Sequence, residues 1–332
     1  MGGKALDGRR LSTPEYLEMS QHLRNLLLTM FVRVYIPISF GGKESHGDID
    51  LVVTGPRCQE FSFAVQELLE ATRFQFCPPT YSYLHQGVQV DVHVCPEEEF
   101  ETCCMYKSHG DVSPLIGMLC HGIGCIYGMD GLRMVFRFHR GQFYSWGDPT
   151  YERHQITLSR DSRRICEFLG LSYERLQSPF NHSDEIVTFL KESPYFDRGV
   201  YHPDAKILSC ATHKRRVRRP LFQEILECLM DPDIPYVQRD CAELHRIHQS
   251  ALEFFDRVDE YQLSCQRILN KYYYHQRING AFVGKLTGLA GPHLGELMNH
   301  VREQVSLDHL RNLDDQALGK EILSILAEHD PN

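Results

Sequence analysis

Three aspartates have the type and spacing to share one piece of chemistry. Asp48 and Asp50 lie two residues apart in Gly47-Asp48-Ile49-Asp50-Leu51-Val52-Val53, and Asp91 lies in Val88-Gln89-Val90-Asp91-Val92-His93-Val94. Both runs predict strands, the first short and closed by Gly55-Pro56, the second a clean alternation of valines with polar residues. Residues i and i+2 of a strand point to one face, so Asp48 and Asp50 belong together. Asp91 takes the open face of a half-buried strand. Three convergent carboxylates suit two Mg²⁺ ions, because hard cations prefer oxygen ligands and keep waters or phosphates as the remainder. Two such ions about 3.5–4 Å apart can activate an attacking hydroxyl and hold a leaving pyrophosphate. Mn²⁺ shares the preference for oxygen and can substitute. Asp-x-Asp alone also describes an exposed strand edge beside a turn, so the surrounding sequence has to decide.

The elements that must position these acids are legible in outline. Residues 14–34 read as one helix, with Ser12 or Thr13 as cap, Pro14 in the first turn and Leu17, Leu23, Leu26, Leu27 and Met30 at helical spacing. An amphipathic helix is expected over 59–72, and a hairpin joins Tyr81–Tyr83 to Val88–Val94 through His85-Gln86-Gly87. A helix over 112–124 and a hairpin over 132–146, turning at His139-Arg140-Gly141, follow. Further helices are expected at 160–169, 183–192, 221–230, 238–277, 292–304 and 314–328. The expected fold is α+β, a small mixed sheet followed by a mainly helical domain. A boundary near Gly147-Asp148-Pro149 divides a catalytic domain, 1–150, from a helical domain, 151–332, suited to an acceptor or nucleic acid.

Bulk properties narrow the partners. The chain has 332 residues, enough to bury a full core without staples, and apolar and charged fractions of a globular protein. No run approaches the roughly 20 apolar residues of a membrane span, and the Met-Gly-Gly-Lys start resembles neither a secretory signal nor a myristoylation site. An intracellular setting, cytoplasmic or nuclear, is the expectation, with the 12 cysteines as reduced thiols. Cys103-Cys104 with His109, and Cys120-His121 with Cys125, lack the paired spacing of a zinc site. A net charge of −9 confines any nucleic-acid contact to a local basic patch.

The segment Ser39-Phe40-Gly41-Gly42-Lys43-Glu44-Ser45-His46-Gly47-Asp48-Ile49-Asp50-Leu51-Val52-Val53 resembles the signature of the DNA polymerase beta-like nucleotidyltransferase superfamily. There a Gly-Ser turn leads through a polar loop into Asp-x-Asp and an apolar strand. The palm is most similar to that of family X polymerases, and Val90-Asp91-Val92-His93-Val94 with Pro96 resembles their third-aspartate strand. The resemblance implies that Asp48, Asp50 and Asp91 are catalytic metal ligands. It places Tyr106 and Asp111 beside the nucleotide, although a packed tyrosine and a helix N-cap describe them equally well. Ile38 stands where the family has Gly, the loop is one residue shorter, and Gly41-Gly42 replace the usual arginine pair. Triphosphate binding would then fall to Ser39, the Gly41-Gly42 backbone and Lys43, or Gly41-Gly42 would themselves replace Gly-Ser. The likeness spans residues 33–130 and does not include the helix-hairpin-helix modules of template-gap repair.

Two features of the second half bear on the acceptor. His213-Lys214-Arg215-Arg216-Val217-Arg218-Arg219 concentrates charge, and Lys214, Arg215, Arg216, Arg218 and Arg219 could bind phosphate, form a nuclear localisation signal, or lead a solvated helix. Ile278-Asn279-Gly280 and Leu286-Thr287-Gly288-Leu289-Ala290-Gly291-Pro292-His293-Leu294-Gly295-Glu296-Leu297 weakly resemble the tail of CCA-adding enzymes and bacterial poly(A) polymerases, or form a plain Gly-Pro turn. The tyrosines 272–274 read as helix packing. The combined expectation is a Mg²⁺-dependent, template-independent transfer of a nucleotide from a nucleoside triphosphate (ATP among the candidates) to a nucleic-acid 3′ end, RNA preferred to DNA. Synthesis of signalling oligonucleotides or nucleotidylation of a protein would use the same acids. A binding protein without catalysis is the alternative of another class.

Overall fold

In the computed structural model, residues 5–145, 149–202, 219–229, 237 and 239–329 are described. The acids belong to a five-stranded sheet built by β2 (Phe31–Tyr35), β4 (Asp48–Pro56), β5 (Arg73–Cys77), β6 (Thr80–His85) and β7 (Val88–Val94). The strand order is β2-β4-β7-β6-β5, parallel between β4 and β7 and antiparallel elsewhere. The short β1 (Leu11–Ser12) and β3 (Ser45–His46) pair separately, tying the N-terminal segment to the loop ahead of Asp48. The expected hairpin at His85-Gln86-Gly87 is present, with Gln86 and Gly87 both at positive φ.

Alternation gives the sheet two different faces. Ile49, Leu51, Val53, Val88, Val90 and Val92 point one way and are almost fully buried. They pack with Tyr16, Leu23 and Leu27 of α1 (Thr13–Leu27) and Val65 of α2 (Phe61–Leu68). Each such aliphatic side chain contributes about 1.5–3 kcal/mol on burial. The opposite face carries the acids at one end. Toward its other end Val52 and Cys95 pack with Phe100, Cys103 and Cys104 of α3 (Phe100–Lys107), which covers that part of the sheet.

Three helices are shorter than their apolar spacing suggests, among them α2, expected over 59–72 and observed at Phe61–Leu68. The helix expected over 14–34 ends at Leu27 with Leu28 as C-cap, and residues 31–35 form β2 instead. The aromatic and β-branched run Phe31-Val32-Arg33-Val34-Tyr35 gains a ladder on β4, pairing Arg33 with Thr54 and Tyr35 with Val52. The helix expected over 238–277 breaks into two, Cys241–Phe254 and Val258–Arg277. Asp256 adopts a left-handed φ of 56° at the break, while Phe254 and Phe255 both pack on Phe168.

After α3 come α4 (Val112–Gly122), then β8 (Cys125–Gly128), β9 (Gly131–His139), β10 (Gln142–Tyr144) and β11 (Glu152–Ser159), which form a second sheet centred on β9. The helices α5 (Ser162–Leu169), α6 (Ser183–Lys191), α7 (Pro220–Leu229) and α8 (Cys241–Phe254) complete the first of two compact units, 1–137 with 144–256. The second unit comprises 138–143 and 257–332 and contains α9 (Val258–Arg277), α10 (Gly280–Thr287), α11 (Gly291–Gln304), α12 (Leu307–Asn312) and α13 (Asp315–His329). It has its own core of Ile278, Val283, Leu297, Val301, Leu318 and Ile322. This is the expected α+β architecture, a palm-like sheet with a helical region. No described helix is long and apolar enough to cross a membrane, and no disulfide joins the described cysteines.

Ile49 lies between the two neighbouring acids and is fully buried on the opposite face. Replacing it by Ala removes core contacts directly behind the site and is expected to cost about 2–5 kcal/mol. Urea denaturation of the Ile49→Ala variant measures this, and a loss below about 1 kcal/mol would contradict the packing described.

Candidate active site

The parallel register of β4 and β7 sets Asp50 opposite Asp91 and Asp48 opposite Gln89. Along each strand the two positions are about 6.6 Å apart, and neighbouring strands are spaced by about 4.8 Å. The result is a two-by-two lattice on one face, with carboxylates at three corners and the Gln89 amide at the fourth. All three carboxylates are half-buried. The adjoining β6 adds Ser82, which pairs with Asp91 in register and hydrogen-bonds its carboxylate.

Electrostatics show that the acids sense one another. Burial pushes the Asp50 carboxyl up to about 6, opposed by Lys107 and reinforced by the charges of Asp48 and Asp91, with Lys43 also opposing. Burial likewise raises Asp91, against hydrogen bonds from Ser82 and Gln89, while the Asp48 charge adds to the rise. A cluster that crowds negative charge in a partly dry place is stabilised by a bound cation. Its donors are hard carboxylate oxygens, of the type Mg²⁺ takes. In type, face and register the residues fit such an ion. Among the described residues, however, no three His, Cys, Asp or Glu side chains converge on one point as placed. The Asp91 carboxylate is held by Gln89, whose Nε2 donates to both of its oxygens at 3.0 Å.

The other expected residues divide into two groups. Ser39 is linked to the neighbourhood of the acids through Tyr16, to whose hydroxyl it donates at 3.3 Å. Burial raises the Tyr16 phenol, Ser39 opposes, and the charges of Asp50 and Asp48 raise it further. Lys43 also acts on Asp50 through its charge. By contrast, the Gly41 N–H is donated to the Phe180 carbonyl at 2.8 Å and is already committed within the protein. A Cβ on Gly41 would come within 2.1 Å of Asn181 Oδ1, and one on Gly42 within 3.0 Å of the Asn181 carbonyl oxygen. These glycines allow the loop to approach residues 180–181.

Tyr106 packs its ring on Tyr127 at 5.5 Å between centroids, and Asp111 binds Arg219 at 2.6 Å. Both carry out structural work in this arrangement. Arg219 is therefore an intramolecular partner, while Lys214, Arg215, Arg216 and Arg218 lie outside the described residues.

Sequence reasoning passed over several neighbours of the acids. Lys107, in the last turn of α3, acts on Asp50, Asp91 and His93. It adjoins Tyr106 in sequence, so a search for cations near the third acid would have found it. Tyr16 and His46 stack at 3.8 Å with an interplanar angle of 11°. Nothing in the local sequence around Tyr16 signals that contact, because it depends on how α1 crosses the sheet. Gln89, two residues before Asp91, was visible only as a polar residue of the alternating run.

No family model and no curated protein matches the sequence. Among solved structures, the chain is matched with Leishmania infantum polymerase beta in a ternary P/T complex, at 14% identity and a TM-score of 0.32. The match covers 42% of this chain and 60% of the polymerase chain, so it spans less than two thirds of that protein.

The raised Asp50 predicts a pH-dependent stability. Its proton is held more tightly in the fold than in the unfolded chain, from an ordinary 3.8 to about 6. Asp50's own contribution to the stability of metal-free protein should therefore fall as pH rises from about 4 to about 6 and not return above. A shift of this size corresponds to at most ~3 kcal/mol, and solvent screening at the half-open site reduces the expected effect to about 1 kcal/mol. Asp50→Asn should consequently raise the melting temperature in EDTA at pH 7.5 but not at pH 4. Equal effects at both pH values would contradict the assignment.

Proposed function

We propose that this protein is a Mg²⁺-dependent nucleotidyltransferase acting on a nucleoside triphosphate. The single observation that carries the reading is the register of Asp50 with Asp91, with Asp48 on the same face of the same sheet. Asp48 and Asp50 would hold both ions, and Asp91 would complete the site of the one facing the acceptor. Bound there, the ions would lower the acceptor hydroxyl's pKa and neutralise charge on the phosphates. The hydroxyl oxygen forms a bond to the α-phosphorus, the bond to the pyrophosphate oxygen breaks, and the hydroxyl proton leaves to solvent.

The chain's own residues orient and balance this chemistry. Lys107 and Lys43 offset the crowded carboxylates. Lys43 and Ser39, on the loop that runs into Asp48, would be the side chains that meet a triphosphate without arginines. With Gly41 committed to Phe180, a phosphate cradle would narrow to these two side chains and the remaining loop N–H groups.

The acceptor we propose is a nucleic-acid 3′ end, RNA in preference to DNA, with no template. Support for RNA comes from the resemblance around residues 278–297. There Gly288 closes α10 in a left-handed conformation and Pro292 stands in the first turn of α11.

The test is incubation of purified protein with labelled NTPs and dNTPs, Mg²⁺ or Mn²⁺, and mixed RNA and DNA oligonucleotides. Nucleotide incorporation is expected with wild type and none above background with the Asp48→Asn, Asp50→Asn double variant. Incorporation that survives the double substitution would sink the reading. Products formed without an added oligonucleotide would transfer the assignment to synthesis of signalling nucleotides or to protein modification.

A further inference from the structure

The fourth corner of the acid lattice is occupied by an amide whose hydrogen-bonding groups are engaged at both ends. Gln89 is 3% exposed. Its Oε1 accepts hydrogen bonds from the backbone N–H groups of Ala5 at 3.0 Å and Leu6 at 3.1 Å. Its Nε2 donates to Asp91 Oδ1 and Oδ2, each at 3.0 Å. A glutamine offers an acceptor oxygen and a donor nitrogen, and here each faces the only kind of partner it can use. Flipping the amide would set its oxygen against a carboxylate and its NH₂ against two N–H donors. The orientation is thereby fixed from both sides.

The N-terminal segment is fitted closely to this residue. The Arg9 N–H donates to the Gly87 carbonyl at 2.7 Å, just ahead of β7. A Cβ on Gly8 would come within 2.7 Å of the Gln89 nitrogen, so the two backbones meet where only glycine fits. Leu6 is buried, with 4% of its surface exposed, and its carbonyl accepts from Arg73. Beyond this, Leu11 and Ser12 pair with His46 and Ser45, directly before the strand that carries Asp48 and Asp50. One segment therefore contacts the lead-in to both acidic strands.

We infer that Gln89 is a positioning residue, fixing the Asp91 carboxylate for metal binding through an N-terminal strap that holds its amide in one orientation. The inference rests on the metal-site reading proposed above. A carboxylate free to rotate must be ordered when an ion binds, whereas one already held by a fixed donor loses less freedom. The amide also spares the lattice a fourth negative charge, which would add to the burial and neighbouring charges that already raise Asp50 and Asp91.

Gln89→Met separates this role from packing, because the side chain keeps nearly its volume while losing both sets of hydrogen bonds. Ala5→Pro removes one N–H of the strap and leaves Gln89 intact. Mn²⁺ binding would be followed by calorimetry and by electron paramagnetic resonance, with and without ATP, alongside the melting temperature. Mn²⁺ affinity is expected to fall about tenfold in Gln89→Met, the scale of lost second-layer contacts to metal ligands. A smaller fall in the same direction is expected for Ala5→Pro. The Mg²⁺ concentration for half-maximal transfer should rise in parallel, with little change in KM for the nucleotide. A lower melting temperature with unchanged Mn²⁺ affinity in Gln89→Met means a purely structural glutamine and overturns the inference. If Gln89→Met fails to fold, an unchanged affinity in Ala5→Pro does the same. Wild type that binds no Mn²⁺, with or without ATP, overturns the metal reading beneath it instead.

Discussion

The parallel pairing of β4 with β7 is the constraint on which the rest depends. It joins two strands far apart in the chain and fixes their register through the apolar side chains of the opposite face. Ile49, Leu51 and Val53 are buried with Val88, Val90 and Val92, and a slip of one residue would turn all of one strand's apolar side chains outward. The acids occupy the intervening positions. Burial, and after it their close approach, disfavours their charged forms, as the raised Asp50 and Asp91 show. A well-packed face behind them offsets that cost, so the hydrophobic alternation determines where the charges must stand.

The same sheet face is used in two ways, and α3 marks the division. At one end Val52 and Cys95 disappear under Phe100, Cys103 and Cys104. At the other the acids stay half-open, and Lys107 in the last turn of the same helix brings a positive charge to their border. Burial therefore does two jobs with one helix: it completes a core and limits the polar opening to the region of the lattice. His93, on the acid face two residues beyond Asp91, is kept neutral, with burial and Lys107 pushing its imidazole down to about 4.

The loop ahead of Asp48 is held from several directions by distant parts of the chain. Gly41 is bonded to Phe180, the Lys43 carbonyl accepts from Thr13, and Ser45 and His46 pair with Ser12 and Leu11. Of these, the Gly41 N–H is a donor that a local reading would leave free for phosphate. The contacts also explain two glycines by close approach to residues 180–181.

The sequence alone determined which acids share a strand face and the strands that carry them, because both rest on local rules. Two-residue periodicity assigns faces within a strand, and the hairpin at His85-Gln86-Gly87 depends on neighbours in sequence. It also announced most of the later helices through their apolar spacing. Local periodicity could not decide where competing structures took over. Residues 31–35 continue a helical pattern yet become a strand, since β4 offers them a ladder. Only the tertiary structure decided that Gln89 stands at the fourth corner, that Lys107 lies beside Asp50, and that Asp111 and Arg219 satisfy each other. Each of these is a pairing between distant segments, set by register and packing across the sheet rather than by the residues on either side.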